Sequence, residues 1–562
     1  MAASPYRLPE GQSARDLYEK LAVRRQIVLD AARRCSEVTI PSIIPPENYQ
    51  AGDPLYTPFQ SFGARCLNNI SSRLLLTQLP PNRPIFKHEI ADYSLDAMER
   101  EEDKQNPKGS LKARVEAALS KREEGVRSRM ESTPLRMIVN ESTRNLLVGG
   151  NVLLRHQKLA QPLYHDMNHY VVQRNNRGEQ LLVILKEPVA VHSLPPDVQA
   201  LVRRKGVEAS TAKQDGDAEA VDIYTVCQKA FDQKGTEWWY SWEEYAGVRI
   251  PGTNAKDPVD APPLYAAWLI PVYGSNWGRS YVDEYYGDLL ACENLSKALQ
   301  DAAAICSWLV FLVNPESATR LRDFQNAPNL AWLAGREGDI SVPDLGKSAD
   351  FKFVSDALQG IIQRLAFAFL LNSAIQRNGE RVTAEEIRLM ARELDEAMGG
   401  VYASISQTVQ RWWVMRFLHL LDREDRDFPK LPKTNIVSIK VITGIDTLGR
   451  NAEAENLREL AQDITSVFGQ EAAAKQMSIS EYGARQAANK GIPTDGLFRE
   501  AATIASEEQQ ARGSAIMDKT IPGVAQEGMK GLMDGKIDPA ALQAALQSAG
   551  VPATTQGAQP AQ

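Results

Sequence analysis

The chain has 562 residues, 43% of them hydrophobic and 24% charged, which is ordinary for a globular protein and long enough for about two to four packed units. Its formal net charge of −7 argues against a protein that wraps nucleic acid tightly through phosphate contacts. Five scattered cysteines, no signal-peptide pattern and a longest apolar run of only about 12 residues predict a soluble intracellular chain without a disulfide framework.

Helices are predicted through most of the first 155 residues. Ser13 followed by Asp16 is a helix-start signal, and a helix should cover 13–36. Its inward-facing apolar side chains are predicted to be Leu17, Leu21, Ile27, Val28 and Ala31. Further apolar helices are predicted at 58–79 and at 133–155. The charged stretch 95–130 is interpreted as a solvated helix pair, with a partner-binding arm as the alternative.

The periodicity changes between residues 161 and 273. Five segments there are rich in β-branched and aromatic residues and are bounded by Asn, Gly, Asp and Pro, which is typical of antiparallel strands. The fold class is therefore α+β, mainly helical. Trp238, Trp239 and Trp242 resemble a base-stacking platform, but no Lys or Arg is interleaved among them, so packing is the favoured interpretation.

Three long helices are predicted between residues 280 and 422. The first begins at Ser280 as N-cap and continues to Val313 as one apolar stripe. A turn-rich insertion follows, in which Ile340, Val342, Phe351 and Phe353 are candidates for short strands, and the second helix starts after Ser355. Thr383 is predicted to cap the third helix, and Gly399 and Gly400 are predicted to kink it.

The C-terminal part is predicted to be less regular. A linker should follow Asp422, residues 451–510 read as two or three amphipathic helices, and residues 511–562 as a flexible tail rich in Ala, Gln, Gly and Ser.

The search for catalytic motifs is negative. The chain contains no phosphate-binding G-x-x-x-x-G-K-[ST] loop and no G-x-S-x-G nucleophile elbow. His165 and His169 could form a metal pair on a helix, but the flanking sequence favours a strand that would separate them. Glu284 and Asp288 are more typical of a solvated helix face than of a two-metal hydrolase. We therefore predict no catalytic residue, no metal and no cofactor.

Several long blocks, in order along the chain, carry a resemblance to a known family. They include IPSIIPP (40–46), YTPFQSFGARCLNNISSRLLLTQL (56–79), VGGNVLLR (148–155), GRSYVDEYYGDLLACENL (278–295) and FAFLLNSAIQRNGERVTAEEIR (367–388). From about residue 12 to about residue 450 the chain resembles the portal, or head-to-tail connector, proteins of short-tailed phages of the autographivirus type. Residues 451–562 carry no block that can be matched in this way.

The resemblance implies a portal fold that assembles into a dodecameric ring around a channel for double-stranded DNA. The implied divisions run in chain order as follows: 1–273 N-terminal wing, 274–313 first stem helix, 314–354 clip, 355–372 second stem helix, 373–382 tunnel loop, 383–430 kinked wing helix, 431–510 crown helices and 511–562 flexible tail.

The resemblance also implies site residues for this chain. The tunnel loop that narrows the channel would present Arg377, Asn378, Gly379, Glu380 and Arg381. Candidates for an acidic channel lining are Asp283, Glu284, Asp288 and Asp301, and candidates for partner docking on the clip are Arg320, Arg322, Asp323 and Arg336. For Arg377 and Arg381, loop solvation or pairing with Glu380 is the alternative.

The implied partners are further copies of the chain, double-stranded DNA without sequence preference, and the terminase large subunit. Tail adaptor and tail tube proteins, scaffolding and major capsid proteins, and internal core proteins are implied as well, with no membrane. The implied location is the portal vertex of the virion, after assembly in the host cytoplasm. Two other classes remain open at this point: a protein-binding scaffold without a DNA conduit, and a nucleic-acid enzyme.

Overall fold

The structure, a computed structural model, describes most of the first 371 residues and selected parts of the remainder. The described residues are 12–47, 49–50, 52–80, 85–90, 110–205, 220–307, 312–314, 340–341, 348–371, 404–429, 439–443, 450–469 and 482–483, with isolated positions elsewhere. The chain forms two compact units, Met1–Arg450 and Asn451–Gln562.

Four helices form much of the N-terminal region: α1 (Ala14–Glu37), α2 (Phe62–Gln78), α3 (Ser110–Ser132) and α4 (Leu135–Gly149). The predicted N-cap at Ser13 is confirmed, and the structure completes it as a capping box, since Ser13 accepts from the Asp16 N–H and the Asp16 carboxylate accepts from the Ser13 N–H. The predicted inward face is wrong at Ile27, which is 81% exposed. The buried stripe instead continues through Arg25.

The region between residues 151 and 268 folds into antiparallel sheets, as predicted. Its strands are β2 (Asn151–His156), β3 (Pro162–His165), β4 (Tyr170–Arg174), β5 (Gln180–Ala190), β6 (Ala220–Phe231), β7 (Glu237–Tyr245), β8 (Val248–Arg249), β9 (Ala255–Asp257) and β10 (Leu264–Trp268), while β1 (Phe86–Ile90) lies upstream. Among the described residues, β4-β5-β6-β7-β8 form one sheet with β9 paired to β7, and β10-β2-β3 form another. Trp239 and Trp242 are 4% and 1% exposed, which confirms the packing interpretation for these two residues.

The helix predicted at 133–155 is too long, because β2 begins at Asn151. Gly150 ends α4 with a left-handed backbone (φ +71°), and a Cβ there would lie 2.5 Å from the carbonyl carbon of Arg279. Only glycine combines this conformation with so close a backbone approach. The short helix α5 (Pro196–Lys205) lies between β5 and β6.

The long helix predicted at 280–313 consists of three different elements. Ser280 does cap a helix, since its hydroxyl accepts from the Asp283 N–H, but α6 (Tyr281–Glu284) stops after four residues at Tyr285. The next helix, α7 (Tyr286–Ser307), is followed by the short strand β11 (Leu312–Val313), which pairs with β12 (Ile340–Ser341).

The second predicted helix is confirmed but starts earlier. Helix α8 (Ser348–Ala368) includes Phe351 and Phe353, so these two residues are helical and do not form the strands predicted for them. The sequence contains no proline between Ser348 and Ala368, so the helix extends upstream of Ser355 without interruption.

The chain returns to the N-terminal region after residue 403. A π-helical turn, Ser406–Gln410, leads into α9 (Arg411–Glu424), so the helix ends just after the predicted linker start. The Gln410 amide donates to the carbonyls of Gln78 and Ile85 at 2.9 and 3.1 Å. Strand β13 (Ile439–Thr443) pairs with β1, so the interval predicted as crown helices, 431–510, contains a strand.

In the second unit, α10 (Arg450–Phe468) confirms the first of the predicted amphipathic helices. Thr383, Gly399, Gly400 and the tail 511–562 lie outside the described residues. Among the helices that the structure describes, none combines the length and the apolar character that a membrane span requires.

Candidate functional site

Helices α7 and α8 form an antiparallel pair, here called the helix pair. Side-chain contacts join the start of α7, and the short helix α6 just before it, to the end of α8. The Arg364 guanidinium lies 2.9 Å from the Asp288 carboxylate, and the Tyr281 hydroxyl donates to the Ala368 carbonyl at 2.9 Å. Leu289, Ile361 and Leu365 are buried in the same apolar core. This core fixes one end of the pair to the rest of the unit.

An aromatic cluster closes that end of the helix pair. The rings of Tyr281, Tyr285 and Phe369 lie 5.2 to 5.5 Å apart, in tilted or edge-to-face arrangements. Tyr281 and Phe369 are 2% and 1% exposed. Both tyrosines, Tyr281 within α6 and Tyr285 at the break between α6 and α7, thus contact Phe369.

The carboxylates predicted to line a channel divide into two groups. Glu284 and Asp288 each form an exposed ion pair at 2.9 Å, with Arg279 and Arg364 respectively. Asp283 lies beside the buried Cys35 thiol, 3.9 Å from its Sγ, and burial raises the pKa of that thiol to about 12. Asp301 is exposed near the other end of α7. The structure thus distributes these carboxylates over α6 and α7 without gathering them into a cluster.

The outer surface of α8 has an apolar stripe. Phe353 and Phe367 are 76% and 79% exposed, and Gly360 lies midway between them at heptad spacing, where a Cβ would meet nothing within 4 Å. Ile305 on α7 is 59% exposed. A parallel polar stripe on α8 comprises Lys352, Asp356, Gln359 and Gln363. A single chain therefore presents both an uncovered apolar surface and a polar one on the same helix.

The chain leaves the helix pair at a constrained position. Leu370 has a left-handed backbone with φ +56°, which is uncommon for a residue with a side chain. The Asn69 amide donates to the carbonyls of Phe369 and Leu370 at 2.9 and 3.1 Å. Sequence reasoning missed Asn69, because it lies 300 residues away and no local pattern marks its role.

The remaining predicted site residues lie largely outside the described part of the chain. Of the clip candidates, Arg322 is exposed. The others are not among the described residues, and neither are the tunnel-loop candidates: Arg320, Asp323, Arg336, Arg377, Asn378, Gly379, Glu380 and Arg381.

The histidine pair considered for metal binding has two separate environments. His169 Nδ1 lies 2.5 Å from the Asp166 carboxylate, whereas His165 Nε2 lies 3.9 Å from Glu187. Among the described residues, no group of three or more His, Cys, Asp or Glu side chains is arranged to hold a metal ion.

Comparison with known proteins gives a family match over most of the chain. Residues 11–497 match the family model described as bacteriophage head to tail connecting protein. The portal protein of Escherichia phage T7 is 36% identical over 452 residues, which cover 79% of this chain and 80% of that protein. The portal protein of Enterobacteria phage T3 is 33% identical over 555 residues, covering 96% of this chain and 98% of that protein.

Two further matches are more distant. The portal protein of Enterobacteria phage SP6 is 26% identical over 521 residues, covering 92% of this chain and 96% of that protein. Among solved structures, a chain from the virion of a native gene transfer agent particle is 11% identical, covers 77% of this chain and 90% of its own length, and superposes with a TM-score of 0.29. A score this low supports no argument about the fold.

Proposed function

The chain belongs to the bacteriophage head-to-tail connecting protein family, and on that premise we propose that it forms a closed ring at one vertex of the capsid. In this proposal it is the portal of a short-tailed phage, and double-stranded DNA passes through the ring during packaging and ejection. Its role is structural, as a conduit and docking platform, with no catalytic step. A dodecamer is the ring order that the family resemblance implies.

The observation that carries the ring proposal is the exposed apolar stripe of the helix pair. Phe353, Gly360 and Phe367 repeat every seven residues on one face of α8, and Ile305 is exposed on α7. Exposed aromatic and aliphatic side chains in register are typical of a surface that another protein covers. In a ring, the copy that covers them is the neighbouring subunit, and a head-to-tail contact of this kind closes when the rotation divides the circle.

The charge of the chain supports passage of DNA without tight binding. Twelve copies at −7 carry about −84 charges, so the assembly as a whole repels the phosphate backbone. A conduit must let DNA slide, and strong contacts that release counterions would hold it in place. The polar stripe of α8 and the carboxylates Asp283, Glu284, Asp288 and Asp301 supply candidates for such a lining.

We assign the helix pair to the stem, residues 314–347 to the clip and residues 373–382 to the tunnel loop. The start of α8 at Ser348 moves the junction between clip and stem upstream of Ser355. The wing then comprises 1–273 and 383–430, and the crown comprises α10 and the following residues to 510. The proposed partners are the terminase large subunit and tail proteins at the clip, scaffolding and major capsid proteins around the wing, and internal core proteins at the crown, after assembly in the host cytoplasm.

Electron microscopy of the purified full-length protein tests the ring, with mass determination on the same sample. We expect closed rings of about a dozen subunits with a central hole. A compact monomer at every concentration and salt tried would contradict the proposal and favour a protein-binding scaffold. Cleavage of DNA that depends on a divalent metal would instead indicate a nucleic-acid enzyme.

The tunnel-loop assignment has its own test. Replacing both Arg377 and Arg381 by glutamate should leave rings intact, because the loop lies outside the helix pair that is proposed to join subunits. The same change should impair packaging or genome retention, because glutamates would repel the DNA phosphates that the arginines contact without sequence preference. Replacement of both by lysine is the matched control. Rings that fail to form with the glutamate variant would show that the loop is structural.

A further inference from the structure

Residues 56–60, here called the strap, lie against α7 just before α2 begins. Three side chains of α7 hold them: Glu293, Lys297 and Gln300. Their spacing of four and three residues places all three on one face of the helix. The strap therefore contacts α7 over about two turns.

Glu293 makes the strongest part of this contact. One carboxylate oxygen accepts from the Tyr56 hydroxyl at 2.7 Å and from the Phe59 N–H at 2.8 Å, and the other accepts from the Gln60 N–H at 3.3 Å. Glu293 is only 5% exposed and forms no ion pair among the described residues. Its charge is therefore stabilised by these three donors, and hydrogen bonding to it raises the pKa of Tyr56 to about 12.

Two side chains in the next turns of α7, Lys297 and Gln300, also contact Phe59. The Gln300 amide donates to the Phe59 carbonyl at 2.8 Å, and the Lys297 ammonium lies 5.3 Å from the centre of the Phe59 ring. Phe59 is thus held through its N–H, its carbonyl and its ring, while the ring itself stays 38% exposed. An exposed aromatic side chain with both backbone groups fixed indicates that the contact positions the backbone.

The other end of the strap is fixed to the N-terminal helices. The Gln60 amide donates to the Val38 carbonyl, at the end of α1, and its oxygen accepts from the Gly63 N–H in α2, at 2.8 and 2.7 Å. A Cβ on Gly63 would lie 2.3 Å from the Val38 carbonyl oxygen, so α1 and α2 approach too closely there for any other residue. The strap therefore joins α7 to the contact between α1 and α2, where the close backbone approach restricts movement.

From this geometry we infer that Glu293 is a positioning residue: through the strap it fixes the tilt of α7 against α1 and α2 and thereby sets how firmly the ring retains its DNA. The inference rests on the proposed function, because the helix pair must line the conduit for its tilt to affect DNA. Local sequence gives no indication of this role, since Glu293 and Tyr56 are 237 residues apart.

Two variants of different severity test the inference. Glu293→Gln places an amide N–H₂ where a carboxylate oxygen accepts, so at least one donor of the strap loses its acceptor. Tyr56→Phe removes a single donor and keeps the carboxylate with both backbone N–H groups. Tyr49→Phe, which removes an exposed hydroxyl just upstream of the strap, is the matched control.

Hydrogen exchange on the purified full-length protein is measured first, with the ring state checked by electron microscopy. We expect amide exchange to rise about tenfold in residues 56–60 and also within α7 for Glu293→Gln, less for Tyr56→Phe, and not at all for Tyr49→Phe. Phage particles assembled with each variant should then lose DNA more readily in the same order, with rings intact.

Faster amide exchange confined to the strap, with exchange in α7 and genome retention unchanged, would overturn the inference. The strap contacts would then stabilise only the backbone of the strap itself. Failure of both Glu293→Gln and Tyr56→Phe to fold would overturn it as well. If the unaltered protein forms no rings, the proposed function fails, while exchange in α7 of the single chain still decides whether the strap holds that helix.

Discussion

The N-terminal helices, the antiparallel sheets and α9, here together called the body, differ from the helix pair in how their side chains are satisfied. Buried cations of the body donate hydrogen bonds to acceptors of the same chain, whereas the helix pair leaves large apolar side chains exposed. Arg25 of α1 is 4% exposed and donates to the Asn168 and Tyr170 carbonyls at 3.0 and 2.9 Å. On the helix pair, Phe353 and Phe367 are more than three-quarters exposed.

The contrast extends to Arg174, a partly buried arginine of the sheets. Arg174 donates to the carbonyls of Asn276, Gly178 and Ala266 and stacks over the Trp268 ring at 3.9 Å. It needs no carboxylate, because three carbonyl dipoles and a ring face stabilise its charge. The difference between the two regions is that the body satisfies its buried cations within one chain, while the helix pair presents an apolar stripe that the proposed neighbouring subunit would cover.

The largest expected effect comes from the buried ion pair of the body. Arg416 Nη1 lies 2.6 Å from the Asp257 carboxylate, and these side chains are 1% and 2% exposed. Burial alone would raise the pKa of Asp257, but the His419 ring and the Arg416 guanidinium lower it overall, so the carboxylate is charged. Asp257→Ala leaves a buried cation whose remaining acceptors are the uncharged carbonyls of His156 and Ala261. We expect a loss of about 3–5 kcal/mol in the free energy of unfolding.

Denaturant unfolding of the full chain measures this loss. The matched control is Asp232→Ala, which removes an exposed carboxylate 2.6 Å from Lys256, the residue next to Asp257. The control should not move the unfolding midpoint. Equal midpoints for both variants would mean that the body does not depend on its buried pair.

The next largest expected effect is a fall in the folding stability of the body as the pH is lowered. His156 is fully buried beside Trp413 and Phe417, and this burial lowers its pKa from 6.5 to about 4. Between these pH values the unfolded chain binds a proton that the folded chain excludes, so stability falls as the pH falls, by roughly 3 kcal/mol for this histidine. His165, with the same lowered pKa, adds to the effect.

Unfolding measured from pH 7 to pH 4 checks the acid effect. His156→Gln should flatten the slope of stability against pH, whatever it does to stability at neutral pH. His192→Gln, at an exposed position, should leave the slope unchanged. The helix pair contains no histidine in 281–307 or 348–371, so its hydrogen exchange should respond less to acid than that of the sheets.

Polar substitutions in the exposed apolar stripe of α8 should have a still smaller effect on the stability of the single chain. Replacing Phe353 and Phe367 by serine should change the free energy of unfolding of the chain by less than about 0.5 kcal/mol per site, because neither side chain is buried. Ring assembly should nevertheless fail, since the surface that a neighbour would cover is lost. Native mass measurement separates the two results, and normal rings from the variant would contradict an interface at this stripe.

The sequence predicted those parts of the fold that depend on neighbours in the chain. The capping box of Ser13 and Asp16 and the N-cap at Ser280 act over three residues. The strands follow from the β-branched and aromatic residues of single segments and from the turn-forming residues that bound them. These signals are local, so the structure confirms them.

The errors arise where distant residues decide the outcome. Arg25 is buried and Ile27 exposed because carbonyls of the sheet supply acceptors for the guanidinium, which α1 alone does not reveal. The break at Tyr285 coincides with a contact to the ring of Phe369, a residue distant in sequence. Asn69 and Glu293 were not predicted for the same reason, because their partners lie hundreds of residues away in the sequence. The acidic candidates were correctly assigned to a helical stretch, but their ion pairs with Arg279 and Arg364 were not predicted.

The smallest expected effect is that of Arg364→Gln on the helix pair. The Arg364–Asp288 contact at 2.9 Å links α7 to α8, but the arginine side chain is 62% exposed, and water screens such a pair. We expect no measurable shift in the unfolding midpoint, and the same for Arg279→Gln, which removes the other exposed pair of this region. A shift as large as that of Asp257→Ala would mean that ion pairs of the single chain stabilise both regions alike. No shift in folding, together with altered ring order or DNA retention, would show instead that charges on the helix pair act only once the neighbouring subunits and the DNA are in place.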